Sequence, residues 1–196
     1  MPRGTSSIPL PPDANYILRV ELLTRWKVIR FISVPPSITF HDLHRVIQIA
    51  FEWNNCHLYQ FHILDAPPIT KSKRPAYTKR FPILLKLNAH KENCEWDEFQ
   101  RSKTAVLGDL LEDERYSKKR IRYTYDLGSG WTHYVTVVKR AEKGPIKITD
   151  AEGGALIEDP TESEDDLELD LDLEELNKRL AKFQEKISSA VKVEDE

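Results

Sequence analysis

Cysteine is nearly absent. Only Cys56 and Cys94 occur, with no Cys-x-x-Cys pair, which argues against a disulfide framework and a finger-type zinc cluster and points to a reducing, intracellular compartment, cytoplasmic or nuclear. The two thiols read as small apolar side chains, buried or half-exposed. No stretch approaches the roughly 18 apolar residues that cross a bilayer, so no membrane partner is expected. Met1 to Pro12 holds four prolines, one basic residue and no apolar run, and so lacks the hydrophobic segment of about 7–15 residues that a secretory signal needs. Glycine-rich phosphate loops, a Gly-x-Ser-x-Gly elbow, kinase signatures and His-Glu-x-x-His are all missing, and Gly128-Ser129-Gly130 is too short to replace any of them. No internal repeat, long heptad series, helix-turn-helix or zinc finger is present. No cofactor and no metal are therefore expected.

What is present is a strong charge split. From Glu158 to Glu196 there are 15 acidic and five basic residues, so this arm carries a formal charge near -10 and the body before it near +7. Such asymmetry implies an anionic partner for the body or neutralisation by the arm.

Composition and periodicity divide the 196 residues into a disordered leader over 1–15, one domain over 16–157, an acidic flexible linker over 158–170, a docking helix over 171–190 and a disordered tail over 191–196. Leu18, Val20 and Leu22 alternate with Arg19 and Glu21, the period of a strand with one face on a core. Lys27 to Val34, rich in β-branched residues, is a second strand that Pro35 and Pro36 stop. Thr39 and Asp42 form a capping pair for a helix to Phe51, with Leu43, Val46, Ile47 and Ala50 on one face. His57 to Leu64 reads as a strand, Asp65 to Arg80 as an exposed basic loop, Phe81 to Leu87 as a short strand and Leu107 to Leu111 as a helical turn. Lys119 to Arg140 is a hairpin turning at Asp126 to Gly130. Leu173, Leu176, Leu180, Phe183 and Ile187 recur at helical spacing behind an Asp172 cap.

The runs Leu43-His44-Arg45-Val46-Ile47-Gln48 to Trp53, His57-Leu58-Tyr59-Gln60-Phe61 and Tyr123 to His133, with Asp172 to Leu180 closing, resemble the Ri-plasmid open-reading-frame-three-like family, also grouped with insertion-element passenger proteins. The match runs from about Tyr16 to Leu180. The resemblance implies an α+β fold, largely an antiparallel sheet with an early amphipathic helix and a C-terminal helix packed on one side, and it implies no established activity. The chain departs from the family after the hairpin, where Ala151 to Asp159 replaces a cysteine- and proline-containing acidic stretch.

Candidate chemistry gathers in the same motifs. His44, Gln48, Trp53, His57, Tyr125, Asp126, Trp131 and His133 form a ligand face if helix and hairpin pack together. Imidazoles beside a carboxylate suit binding a divalent metal or proton transfer near neutral pH, though no ligand series at metal spacing occurs, and they equally suit structural roles, His44 and Gln48 linking helix to sheet and Asp126 holding the turn. The aromatic residues Trp53, Tyr59, Phe61, Tyr123, Tyr125 and Trp131 read first as core, Trp131 as partly exposed. Lys71, Lys73, Arg74, Lys79 and Arg80, with Arg120 and Arg122, are the residues that would meet nucleic-acid phosphates. Three classes remain open: a non-enzymatic binding or adaptor domain for an unidentified protein or small ligand, a metal-dependent or acid/base hydrolytic enzyme using His44, His57, Asp126 and His133, and a nucleic-acid-binding protein.

Overall fold

The computed structural model describes residues 10–24, 26–69, 80–88, 99–158 and 170–194. The elements run in the order β1 (Asn15–Leu23), β2 (Lys27–Val34), α1 (Phe40–Ala50), β3 (Tyr59–Leu64), β4 (Ile83–Asn88), β5 (Phe99–Arg101), α2 (Leu107–Glu112), β6 (Arg120–Tyr125), β7 (Trp131–Ala141), β8 (Lys147–Glu152) and α3 (Leu173–Glu194). All eight strands join one sheet in the order β5-β4-β3-β6-β7-β1-β2-β8. Every pairing is antiparallel except β4 with β5. The fold is α+β, and β5 and β8 are strands that periodicity does not reveal.

The alternation read in β1 is real: Tyr16, Leu18, Val20 and Leu22 join the core cluster with Phe61, Ile63, Ile121, Tyr123 and Val135 from neighbouring strands. Leu43, Val46, Ile47 and Ala50 of α1 and Leu176 and Leu180 of α3 enter the same cluster. The α1 cap forms as its sequence dictates, the Asp42 amide donating to Thr39 Oγ1 at 3.0 Å and the Thr39 hydroxyl to the Asp42 carboxylate at 2.7 Å. Asp172 caps α3 through the amides of Glu174 and Glu175.

Two devices fix the far edge. Asn177 of α3 accepts from the Ile148 amide at 2.7 Å and donates to its carbonyl at 3.1 Å, and Gln184 accepts from the Ile146 amide. These side-chain amides answer the open hydrogen-bonding edge of β8. Arg30, fully buried in β2, donates to the carbonyls of Ile29, Ala50, Glu152, Gly153 and Gly154. Its guanidinium lies over the Phe51 ring, 5.2 Å from the centroid. The rigid fork of donors is what lets one side chain gather five carbonyls. Gly153 has φ +73° and stands so close to Lys27 that a Cβ would meet its carbonyl oxygen at 2.3 Å, so only glycine fits there.

Two boundaries move. Asn15, placed by the sequence reading at the end of the leader, is fully buried in β1. Glu158, placed at the head of the acidic linker, is buried and tied to the domain. Residues 159–169 of that linker, the first nine residues, the terminal pair and most of the basic loop lie outside the described residues.

Candidate functional site

The turn after α1 sets the site. It passes through Asn55 at φ +58°, and the β6–β7 turn begins with Asp126 at φ +48°. Asn and Asp are the non-glycine residues that accept this left-handed backbone most readily. The Asp126 amide donates to the Leu58 carbonyl at 2.9 Å and the Gly130 amide returns to the Asp126 carbonyl, which locks the hairpin turn beside the strand entering β3. Between these turns and the His-bearing end of α1 lies a cleft of about 650 Å³. His41, His44, Asn55 and His57 line it on one side, and Asp126, Leu127 and Gly128 on the hairpin side. Lys103 contributes a cation, while Leu58 and Leu127, 56% and 49% exposed, form an apolar rim.

Beneath the cleft a polar ladder joins helix to sheet. His44 stacks on Tyr59, ring centroids 3.6 Å apart. Its Nε2 donates to Asn55 Oδ1 and its Nδ1 accepts from the Tyr123 hydroxyl at 2.7 Å. The Gln48 amide donates to the same Tyr123 oxygen at 2.9 Å. This arrangement fixes a neutral imidazole, and burial pushes the His44 pKa down to about 3, helped by His41 and Arg45 and opposed by the Asn55 hydrogen bond. Burial likewise raises the Tyr123 and Tyr125 phenols, which stay protonated.

Tyr125 is a second hub. Its oxygen accepts from the amides of Cys56 at 2.8 Å and His57 at 3.2 Å, and its hydroxyl donates to Glu158. The other Glu158 oxygen accepts from the Asn54 amide at 2.6 Å, and the Cys56 thiol lies 3.3 Å from the first. Burial opposes ionisation of Glu158, yet the hydrogen bonds from Tyr125, Asn54 and Cys56, together with the charge of His57, hold its carboxyl below the usual range. Trp53 completes the frame by donating to the Leu156 carbonyl at 2.9 Å and stacking on Tyr125.

The residues named from sequence therefore divide. His44, His57 and Asp126 reach the cleft, whereas Gln48, Trp53 and Tyr125 are buried among the groups that support it. Trp131 is half-buried against Trp53, 5.5 Å between centroids. His133 is the outlier: fully buried, it packs against Phe51, Trp53 and Tyr123, and neither ring nitrogen completes a hydrogen bond although the Trp131 and Tyr123 carbonyls approach it. It belongs to the core. Glu158, Asn55 and Lys103 were missed; Glu158 was hidden in an acidic run and only its contact with a turn about a hundred residues earlier distinguishes it. Cys56, read as a buried or half-exposed thiol, is exposed.

The basic set falls elsewhere. Arg120 donates to the Pro67 carbonyl and is held between Phe81 and Tyr134, while Arg122 donates to His62 Nδ1. Both alternate with Ile121 and Tyr123 and so point to the sheet face away from the core cluster. Arg80 is exposed, and Lys71, Lys73, Arg74 and Lys79 lie outside the described residues. Among the described residues, no helix is long and apolar enough to cross a membrane.

Fold and site together define an α+β domain built on one large, mainly antiparallel sheet with a cleft at the junction of its first helix and central hairpin. The family profile described as plasmid pRiA4b ORF-3-like protein matches residues 14–165, and the chain belongs to that family. It is 26% identical over 114 residues to an uncharacterised protein, y4hQ, of Sinorhizobium fredii, the alignment covering 56% of this chain and 45% of the relative's length. It also resembles the crystal structure of MM3350, a protein of unknown function from Methanosarcina mazei Go1, with a TM-score of 0.56, 25% identity and coverage of 74% of this chain and 73% of the other.

Proposed function

We propose that this chain is a non-enzymatic binding domain that takes a small polar molecule in the cleft between α1 and the β6–β7 turn. The observation that carries the reading is the cleft itself: about 650 Å³, it falls within the range of small-molecule sites. Its lining offers a carboxylate, an ammonium, an amide and imidazoles over an apolar rim, the mixture that orients a polar ligand while desolvating part of it.

Acid/base hydrolysis is the weaker reading. Of the four residues it would use, His133 is enclosed in the core and His44 has both nitrogens engaged, so neither is placed to carry a proton to a bound molecule near neutral pH. Nucleic-acid binding loses support as well, because Arg120 and Arg122 are committed to contacts within the chain.

The test is ligand-observed NMR of the full chain against a library of amino acids, dipeptides and nucleotides. Saturation transfer to at least one compound, abolished by the exposed rim substitutions Leu58→Ser and Leu127→Ser, is the expected result. Binding that survives both substitutions, or no binding by a natively folded chain, counts against the reading.

A further inference from the structure

We propose that Cys56, His57 and Glu158 form a binding site for a divalent ion of the zinc class, with a fourth coordination position open to the cleft. One donor atom from each residue lies within 4.8 Å of the other two. The thiol and carboxylate are already 3.3 Å apart. A tetrahedral zinc with sulfur at about 2.3 Å and nitrogen and oxygen at about 2.0–2.2 Å requires donor separations of about 3.3–3.7 Å, so small side-chain rotations suffice.

The donor chemistry agrees with the geometry. Thiolate, imidazole and carboxylate are the three protein donors that zinc accepts. Binding releases the thiol proton to solvent, and the resulting thiolate and carboxylate neutralise the double positive charge, which suits a carboxylate as buried as Glu158, 6% exposed.

The surroundings are those of a held site. Tyr125 donates to Glu158 and accepts from the amides of Cys56 and His57, so one hydroxyl orients all three ligand residues, the task of outer hydrogen bonds around a metal. The Asn54 amide fixes the remaining Glu158 oxygen. Cys56 and His57 line the cleft, which places the fourth position on the side where a ligand enters; three protein donors leave a tetrahedral zinc one position for water or a bound molecule. The identity of that fourth partner, an oxygen donor of the cleft ligand, rests on the binding reading above; the ion site itself does not. The expectation of no metal came from spacing along the chain, and Glu158 stands 102 residues from Cys56.

The experiment adds Co²⁺ to the chelator-treated full chain and follows near-ultraviolet and visible absorption, with zinc affinity read by competition against a chromophoric chelator. Expected are one ion per chain and a thiolate-to-cobalt charge-transfer band, lost in Cys56→Ser and kept in Cys94→Ser. Glu158→Gln should weaken zinc by more than the roughly 10–100-fold typical of removing an outer hydrogen bond. Where Cys56→Ser does not fold, His57→Ala, at a half-buried position, reads the same loss. Acetohydroxamate should shift the visible cobalt bands by entering the open position. Absence of the band in a natively folded chain overturns the proposal, as does a band that follows Cys94. Leu58→Ser with Leu127→Ser separates the two readings: the cobalt band should persist there while small-molecule binding vanishes. An ion without any small ligand refutes the cleft alone, and a small ligand bound by a chain that takes no ion refutes the metal site alone.

Discussion

Replacing Arg30 by Met removes five hydrogen bonds to backbone carbonyls from a fully buried position. At about 1.5 kcal/mol for each bond from a charged donor, the loss is about 7 kcal/mol. Against it stands the burial of the charge, which lowers the Arg30 pKa from 12.5 to about 10, partly opposed by Glu52; at about 1.4 kcal/mol per pKa unit, relief of that burial returns about 3 kcal/mol. The net destabilisation is about 4 kcal/mol, a large part of the roughly 5–15 kcal/mol that holds a domain folded. Both states keep the guanidinium protonated at neutral pH, so the effect does not depend on buffer pH near 7. Equilibrium urea unfolding at pH 7 measures it from the midpoint at constant slope. Arg30→Lys keeps a charge but loses the planar fork, and it should fall near the Met variant. A Lys variant close to wild type, or a Met variant losing less than about 1 kcal/mol, would refute the reasoning.

Gly153→Ala should cost about 2–3 kcal/mol, visible as a lower Tm by calorimetry, because its φ of +73° and the Lys27 carbonyl leave no room for a Cβ. Tyr123→Phe strands His44 Nδ1 and the Gln48 amide and should cost about 2 kcal/mol in urea unfolding; a neutral result would mean that the ladder does not join helix to sheet. Stability should fall with acid. Burial pushes the pKa values of His44 and His133 down to about 3, so below pH 6.5 the unfolded chain binds protons that the folded chain refuses, and stability present above pH 6.5 is lost progressively toward pH 3. Each contributes about 2 kcal/mol of loss by pH 5, and His133→Phe should remove its share of that dependence. A midpoint unchanged between pH 7 and pH 5 contradicts the burial argument.

Local signals carried the parts of the fold that are local. Thr39 and Asp42 sit three residues apart and bond as the spacing implies, and the alternation of Leu18, Val20 and Leu22 becomes one face of β1. The hairpin was legible from its β-branched return and its glycines, although Asp126 as well as Gly130 takes the positive φ. β8 was not legible, since Lys147, Thr149 and Asp150 are exposed and its outward edge is satisfied by Asn177 and Gln184 of a later helix. Arg30 sits in a strand among apolar neighbours, and nothing in its local pattern announces four carbonyl partners from two distant segments. The same limit applies to the site. His44, His57 and Asp126 stood out as residue types, and the contact of Gln48 and His44 with Tyr123 joins the helix to the hairpin. Glu158 is set apart in an acid-rich arm only by what it touches, and His133 resembles a functional histidine until its enclosure by Phe51, Trp53 and Tyr123 is seen.

The most direct measurement is amide chemical-shift mapping on the isotopically labelled full chain, titrated with whichever library compound gives saturation transfer. The α1 turn and the hairpin turn should respond as one surface, with Asn55, His57, Leu58, Asp126 and Gly128 shifting together along a single saturation curve. Shifts confined to the opposite sheet face around Arg120 and Arg122, with these residues silent, would contradict it.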